Sequence, residues 1–153
     1  MSRGIGAGSV VIVGSGQAGV QVADSLRAGG HPGQVVLLGD EPGLPYQHPP
    51  LSKDFVAASG EPRPRPLRSE RFFADREIDY RPGAVVTGIS RARRTVVLES
   101  GREIDYASRV LATGTAPRSL PIAGAELVGV LPLRTLADAR ELRAALTRRA
   151  PLP

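Results

Sequence analysis

The sequence predicts an α/β fold built on one parallel strand–helix–strand unit that is followed by a small antiparallel β-meander. Two continuous apolar runs, Ser9–Val13 and Gln34–Gly39, are typical of buried parallel strands. Between them, Ala18–Ala28 carries apolar residues at helical spacing, and glycines follow it as a helix stop. The short β-forming runs that predict the other strands are Ile78–Arg81, Val85–Ser90, Thr95–Glu99 and Arg102–Tyr106.

The segment between the second strand and the meander predicts loops and short helices. Leu51–Ala58 begins a short helix, and Ser69–Arg76 has the composition of another. Glu61–Leu67 is predicted to be extended, because a residue that precedes proline is disfavoured from the helical region. Within the meander, Ser100-Gly101 predicts a hairpin turn between two strands.

The remaining elements are one strand and one helix. Arg109–Leu111 is predicted to be another buried strand, ending in Ala112-Thr113-Gly114. Thr135–Leu146 is an amphipathic helix, with Thr135 as its N-cap and Asp138 three residues later.

Composition excludes several classes of protein and site. The chain of 153 residues has no cysteine, which rules out disulfides, thiolate metal sites and a redox dithiol, and we predict no metal site. No run approaches the ~20 apolar residues of a membrane span, and the N-terminus lacks a signal-peptide pattern. We therefore expect a soluble, cytoplasmic protein that does not associate with membranes.

The net charge of +5 raises the question of nucleic-acid binding, which two observations disfavour. The 20 basic residues are spread along the chain among acidic ones rather than gathered in one stripe. The chain has three Tyr, three Phe and no Trp, so it offers few aromatic side chains on which nucleic-acid bases could stack. We expect no nucleic-acid partner. Lys53 is the only lysine among those 20 basic residues.

A glycine-rich turn joins the first strand to the first helix. The stretch Gly14-Ser15-Gly16-Gln17-Ala18-Gly19 is a GxGxxG motif in that position. In this motif the first glycine permits a tight turn, the second lets the backbone approach a pyrophosphate, and the third lets helix and strand pack closely. The helix N-terminus adds N–H groups and partial positive charge that favour an anion.

An acidic residue completes the pattern at the end of the second strand. Asp40 lies 21 residues after Gly19, with Glu41 as a neighbouring candidate, where a carboxylate can accept a hydrogen bond from an adenosine ribose. The sequence therefore predicts a Rossmann-like dinucleotide site. The motif fits FAD and NAD equally well, since both contain ADP.

The stretch Leu44–Lys53, LPYQHPPLSK, resembles the PYxRPPLSK segment of FAD-dependent ferredoxin and rubredoxin reductases, within the pyridine nucleotide–disulfide oxidoreductase-like flavoproteins. The resemblance continues, in the family's order, through VIVGSGQAGVQVADSLRAGG, VVLLGDE, LESGREIDY, VLATGTAPR and PLRTLADA. It covers residues 9–146. The absence of cysteine agrees with the electron-transfer branch, since disulfide reductases keep a redox cysteine pair in this region.

The resemblance implies a set of FAD-binding residues. Lys53 matches a lysine beside the flavin ring, where an ammonium would favour negative charge on the reduced ring; this electrostatic role makes it the one catalytic candidate. Val86 matches a position whose backbone meets the adenine. The full cofactor-binding set is Gly14, Gly16, Ala18, Gly19, Asp40, Lys53, Val86, Ala112, Thr113, Gly114 and Arg134.

Two residues depart from the family's pattern. His48 stands where arginine is usual, and we interpret it as a satisfied loop histidine rather than a pH switch. Arg109 stands where the strand normally has an apolar residue. If its side chain is buried without a partner, the cost is several kcal/mol.

The implied fold is a Rossmann-like FAD-binding βαβ unit with a small β-meander, an incomplete form of the three-layer FAD/NAD(P)-binding fold. We expect a flexible leader over 1–8, the first part of a FAD domain over 9–118, and over 119–153 a linker and helix that lead into an NAD(P)-binding domain beyond this chain.

The implied reaction moves a hydride from NAD(P)H to FAD and then single electrons to an iron–sulfur protein, a ferredoxin or rubredoxin. NAD(P)H would be a co-substrate only in a complete protein, so we expect residues 1–153 alone to be inactive. The alternatives are a non-catalytic FAD- or ADP-binding module, or one half of a split reductase that needs a complementary NAD(P)-binding chain.

Overall fold

The computed structural model describes residues 8–148, which form two compact units. The first unit runs to Tyr46 and resumes over Pro66–Gly114. The second unit contains Gln47–Arg65 and the described residues from Thr115 onward. The predicted leader, except for Gly8, and residues 149–153 lie outside the described residues. Within residues 8–148, no helix has the length and apolar character needed to cross a membrane.

A four-stranded parallel sheet forms the centre of the first unit. Its strand order is β3-β2-β1-β7, and every neighbouring pair is parallel. These strands are β1 (Val10–Val13), β2 (Val35–Leu38), β3 (Ile78–Arg81) and β7 (Ser108–Leu111). The predicted strand–helix–strand unit is confirmed, with helix α1 over Gln17–Ala28. The structure also shows that the run at Ile78–Arg81 extends this parallel sheet rather than the meander.

The meander is a separate three-stranded antiparallel sheet of order β4-β5-β6. Its strands are β4 (Val86–Ser90), β5 (Thr95–Leu98) and β6 (Glu103–Asp105). The predicted hairpin turn is present between β5 and β6, where Gly101 has a φ of +80° that favours glycine.

The two inner strands of the parallel sheet, β1 and β2, are covered on both faces, which explains why they are continuous apolar runs. The edge strand β7 was predicted to be buried, and this was wrong, because its position at the edge leaves Leu111 59% exposed. Alternate residues of β1 and β2 point to opposite sides. On one side, Ile12 and Leu37 pack against α1 and against Phe73 of helix α3 (Glu70–Asp75). On the other side, the residues that alternate with them pack against side chains of the meander, among them Val96 and Ile104. The first unit therefore has three layers: helices, parallel sheet and meander.

Arg109 has partners where it lies on β7. Its side chain is half-buried, and its guanidinium donates a hydrogen bond of 2.5 Å to the Tyr106 hydroxyl while lying 5.3 Å from the centre of that ring. The cost expected for a buried, unpartnered arginine is therefore not incurred.

The second unit contains a 3-10 turn (Pro49–Ser52) and the helices α2 (Asp54–Ala57) and α4 (Leu136–Arg148). The short helix predicted over Leu51–Ala58 is thus divided in two. The Arg143 guanidinium of α4 fastens the two segments of this unit together, because it donates hydrogen bonds of 2.9–3.0 Å to four carbonyl groups in and after α2. These belong to Phe55, Val56, Ala58 and Gly60.

Helix α4 begins with reciprocal capping, as predicted. The Thr135 hydroxyl accepts a hydrogen bond from the Asp138 backbone N–H at 3.2 Å, and the Asp138 carboxylate accepts from the Thr135 N–H at 2.8 Å. The Arg134 N–H also donates to this carboxylate at 2.8 Å. These backbone donors lower the pKa of Asp138 from its ordinary value, the Thr135 N–H contributing most.

Candidate functional site

Most of the predicted site residues gather at one edge of the parallel sheet in the first unit. The strands β1, β2 and β7 all end there, since they are parallel and in register. Gly14 donates from its N–H to the Leu38 carbonyl at 2.9 Å, and Ala112 donates from its N–H to the Val13 carbonyl at 2.7 Å. Ligands of open α/β sheets bind outside this edge. The structure thus brings together the loops that follow the three strands.

The three glycines of the motif have three different structural environments. Gly14 has a φ of +104°, and a Cβ atom there would collide with the Ala112 carbonyl oxygen. A Cβ at Gly19 would collide with the Gly14 carbonyl oxygen and lie 3.3 Å from Cδ1 of Leu37. A Cβ at Gly16 would have no heavy atom within 4 Å. Gly14 and Gly19 are therefore required by packing, whereas the space beside Gly16 is open.

The open space lies at the N-terminus of α1. Gly16 is the N-cap, with extended φ and ψ of −68° and −172°, and no side chain caps the helix there. The first turn of α1 contains no acidic residue, so no carboxylate offsets the partial positive charge of the helix end. Ala18 is exposed in this turn. These features leave backbone N–H donors facing an uncovered, electropositive position.

Two carboxylates follow β2, and the structure gives them different partners. Glu41 is half-buried, and its carboxylate accepts a hydrogen bond from the Tyr46 hydroxyl, which lies 2.7 Å from Oε2 and 3.0 Å from Oε1. Asp40 is exposed, and its Oδ1 accepts from the Glu41 backbone N–H at 3.1 Å. The fixed carboxylate is therefore Glu41, while Asp40 has its Oδ2 available for a ligand.

The predicted adenine contact, Val86, begins β4 close to this edge. The Ala84 N–H donates to the Gly39 carbonyl at 2.7 Å, and the Gly83 N–H donates to the Glu41 carbonyl at 3.0 Å. These bonds hold the start of β4 against the loop after β2. The register of β4 shifts between Val86 and Gly88, which interrupts the regular pairing of this strand with β5.

The turn after β7 lies on the other side of Gly14. Ala112 is half-buried and contacts Gly14 as described, whereas Thr113 and Gly114 are exposed. Gly114 has a φ of +69°, which turns the chain away from the strand. The first unit thus contains nine of the eleven predicted cofactor-binding residues, namely Gly14, Gly16, Ala18, Gly19, Asp40, Val86, Ala112, Thr113 and Gly114.

Lys53 and Arg134 lie in the second unit. Lys53 separates the 3-10 turn from α2 and is exposed, and its ammonium has no hydrogen bond or ion pair within residues 8–148. Arg134 is held in place, because its Nε donates to the Thr115 carbonyl at 3.1 Å and its Nη1 lies 3.5 Å from Nδ1 of His48. His48 therefore has a partner, as expected for a satisfied loop histidine.

Two residues of this edge were not singled out from the sequence. Ser15 lies inside the glycine motif, and its side chain lies beside the hydroxyl of Tyr80 on β3, since a Cβ at Gly39 would meet both groups. Burial raises the pKa of Tyr80 above its ordinary value, the Ser15 hydroxyl lowers it, and the charges of Glu41 and Asp40 raise it. The position of Ser15 in the motif is a usable signal, but no pattern in the sequence connects Tyr80 with it.

Known proteins resemble this chain in sequence and in fold. Rhodocoxin reductase of Rhodococcus erythropolis is 43% identical over 138 residues, which are 90% of this chain and 32% of that protein. Putidaredoxin reductase of Pseudomonas putida is 44% identical over 139 residues, or 88% of this chain and 33% of that protein. A ferredoxin reductase from Rhodopseudomonas palustris superposes with a TM-score of 0.83 at 42% identity, covering 92% of this chain and 34% of that one.

This chain therefore spans about a third of the length of each of these relatives. The predicted α/β fold, a parallel sheet with a small antiparallel sheet, is confirmed by the solved structure. The family model for pyridine nucleotide-disulphide oxidoreductases matches residues 8–150. The predicted relationship is confirmed: the chain belongs to the pyridine nucleotide-disulphide oxidoreductase family.

Proposed function

We propose that this chain supplies the ADP-binding part of the FAD site in an NAD(P)H-dependent reductase of the ferredoxin and rubredoxin type. The observation that carries the proposal is the open space beside Gly16, between two glycines that packing requires. A loop with three purely structural glycines would have all three Cβ positions blocked or strained. A vacant position at an uncapped helix N-terminus suits a pyrophosphate instead.

The donors present fit the ADP half of FAD. Backbone N–H groups at the start of α1 would hold the pyrophosphate, with Gly14, Ala18 and Gly19 shaping the loop. The Asp40 carboxylate would accept from a ribose hydroxyl, because Oδ2 is available and Glu41 is already bound to Tyr46. Val86 would offer its backbone to the adenine, since the start of β4 is held beside the loop after β2.

Other residues are assigned on the family resemblance. Ala112, Thr113 and Gly114 would line the cofactor beside Gly14. Lys53 and Arg134 would contact the flavin, the lysine favouring negative charge there. When bound, FAD supplies the capacity to accept a hydride from NAD(P)H and to release electrons one at a time. The chain's own residues bind and orient it.

The proposed electron acceptor is an iron–sulfur protein. Two of the relatives are reductases named for rhodocoxin and putidaredoxin, and a further protein of Pseudomonas putida that is 39% identical to this chain is a rubredoxin–NAD(+) reductase. We extend that class of partner to this protein, together with a location in the cytoplasm. NAD(P)H is the proposed reductant only where an NAD(P)-binding domain is present, in the same chain or in a complementary one.

A calorimetric titration of the purified chain with FAD and with ADP tests the proposal. We expect both to bind at one competing site, since both contain the ADP group. Asp40→Asn should weaken binding of both, whereas Asp105→Asn, which alters an exposed carboxylate on β6, should not. Failure of ADP to compete with FAD, or equal affinities in the two variants, would refute the assignment.

Addition of NADH to the FAD-loaded chain separates the remaining alternatives. Bleaching of the oxidised flavin absorbance would mean that this chain transfers the hydride unaided. FAD that stays oxidised is the expected result. It would favour a FAD-binding module, or one half of a split reductase that requires a complementary chain.

A further inference from the structure

The hydroxyl of Tyr80 connects the two loops of the proposed nucleotide site. It donates a hydrogen bond of 2.7 Å to the carbonyl of Gly43, which lies 37 residues earlier in the loop that follows Asp40. The Ser15 hydroxyl lies beside the same group, because a Cβ at Gly39 would collide with Oγ of Ser15 and lie 3.2 Å from the Tyr80 hydroxyl oxygen. Ser15 lowers the pKa of Tyr80, as a hydrogen-bond donor to the phenol oxygen does. The Tyr80 hydroxyl therefore adjoins both the glycine motif and the acidic loop.

Packing fixes Tyr80 in this position. Its ring stacks on Phe73, with centroids 4.9 Å apart and planes inclined by 26°. In the sheet, Tyr80 is paired with Leu37 of β2, two residues before Gly39. A Cβ at Gly39 would collide with Oγ of Ser15 and lie 3.2 Å from the Tyr80 hydroxyl oxygen. The absence of a side chain at Gly39 thus makes room for the pair of hydroxyls.

A link of this kind would raise ligand affinity by ordering the two loops before the ligand binds. The loop around Ser15 must present its backbone N–H groups to the pyrophosphate, and the loop after β2 must present Asp40 to the ribose. Any freedom of these loops in the unbound protein would be lost on binding and would reduce affinity. A hydroxyl held by the core, bonded to one loop and packed beside the side chain of the other, restricts that freedom before the ligand arrives.

We propose that Tyr80 is a positioning residue of the nucleotide site, which holds the Ser15 loop and the Gly43 loop in the conformation that binds the ADP group of a dinucleotide. This inference rests on the proposed function. Tyr80 acts through the two loops and needs no contact with the ligand.

The test compares two tyrosine hydroxyls of the same unit in the full chain. Tyr80→Phe keeps the ring against Phe73 and removes only the link between the loops. Tyr106→Phe is the matched control, because its hydroxyl accepts from Arg109 and its ring packs on the meander side of the sheet. With ADP as the calorimetric probe, we expect Tyr80→Phe to bind about fivefold more weakly, the effect of one ordinary hydrogen bond, and Tyr106→Phe to bind as the wild type does.

A double-mutant cycle distinguishes positioning from general stability. If Tyr80 acts through Ser15, the loss of ADP affinity in Ser15→Ala/Tyr80→Phe will be smaller than the product of the two single losses. A residue that only stabilises the fold would lower the thermal midpoint and leave ADP affinity unchanged in Tyr80→Phe. That result, or losses that multiply in the double variant, would overturn the inference alone. Absence of ADP binding by the wild-type chain would overturn the proposed function and this inference with it.

Discussion

Replacement of Gly16 by alanine should remove nucleotide binding and leave the fold intact. The φ and ψ of −68° and −172° are accessible to any residue, and the new Cβ would meet no heavy atom within 4 Å. Alanine caps a helix less well than glycine, but it also stabilises the folded state by about 0.4–1 kcal/mol, because it reduces the conformational entropy of the unfolded chain. These effects oppose one another, so we expect the free energy of unfolding to change by less than about 1 kcal/mol.

The effect on the ligand should be much larger. A methyl group beside the helix N-terminus would hold the pyrophosphate away from the backbone donors of the first turn. Each hydrogen bond to a charged group contributes about 1.5–3 kcal/mol, and the loss of two would cost at least about 3 kcal/mol. Since about 1.4 kcal/mol is a factor of ten, ADP affinity should fall more than roughly a hundredfold.

Gly19→Ala in the same motif is the control, because we expect it to lower the stability of the fold, whereas Gly16→Ala lowers the affinity for ADP. Its Cβ would collide with the Gly14 carbonyl oxygen, and overpacking of this kind costs about 1–3 kcal/mol, against which helix propensity returns up to about 1 kcal/mol. Urea unfolding should therefore show the loss of stability in Gly19→Ala, and calorimetry with ADP should show the loss of affinity in Gly16→Ala. An unchanged ADP affinity in Gly16→Ala would refute the reasoning, because the open space would then have no bearing on the ligand.

Two further predictions concern the second unit. Arg143→Met should lower the free energy of unfolding, measured in urea, by about 2 kcal/mol, because it leaves four carbonyl groups without their cationic donor. The control Arg140→Met changes an exposed arginine of the same helix and should alter the free energy of unfolding by less than about 0.5 kcal/mol. Equal effects of the two substitutions would contradict the role of Arg143. The pKa of Asp138 is lowered in the folded state, so its stabilisation of α4 is present above the ordinary value of 3.8 and is lost as the pH falls through the lower, folded-state value. The protection factors of the amides in the first turn of α4, which are corrected for the intrinsic pH dependence of exchange, should therefore fall below about pH 4 in the wild type. Asp138→Asn should remove that pH dependence, and protection factors that stay unchanged down to about pH 2 would argue against the cap.

The features predicted correctly from the sequence are those that short stretches determine. The runs SVVIV and QVVLLG read as buried strands because each must pack on both faces, and the motif between them fixes the turn and the start of α1. Thr135 and Asp138 define a helix start within four residues. Local chemistry sufficed in each case.

The features that were missed depend on partners far along the chain. The sequence of β3, IDYR, is too polar to reveal that it joins the parallel sheet beside β2. Tyr80 reaches Gly43 across 37 residues, and Arg143 reaches Phe55 across 88. Nothing in the spacing of such pairs indicates a contact, because the fold itself creates the proximity.

The pairing of β1 with β7 has a consequence for the order in which the sheet folds. Beside β1, the Ala107 N–H donates to the side chain of Ser9, 98 residues away, and β7 pairs with β1 along its length. Closing so long a loop costs entropy before the contacts it creates can compensate, and proteins of high contact order fold slowly for this reason. We therefore expect β1, α1 and β2 to associate first and β7 to dock late. The edge proposed to bind the nucleotide would then be among the last parts of the molecule to form, and a nascent chain would remain unable to bind it until β7 had been synthesised.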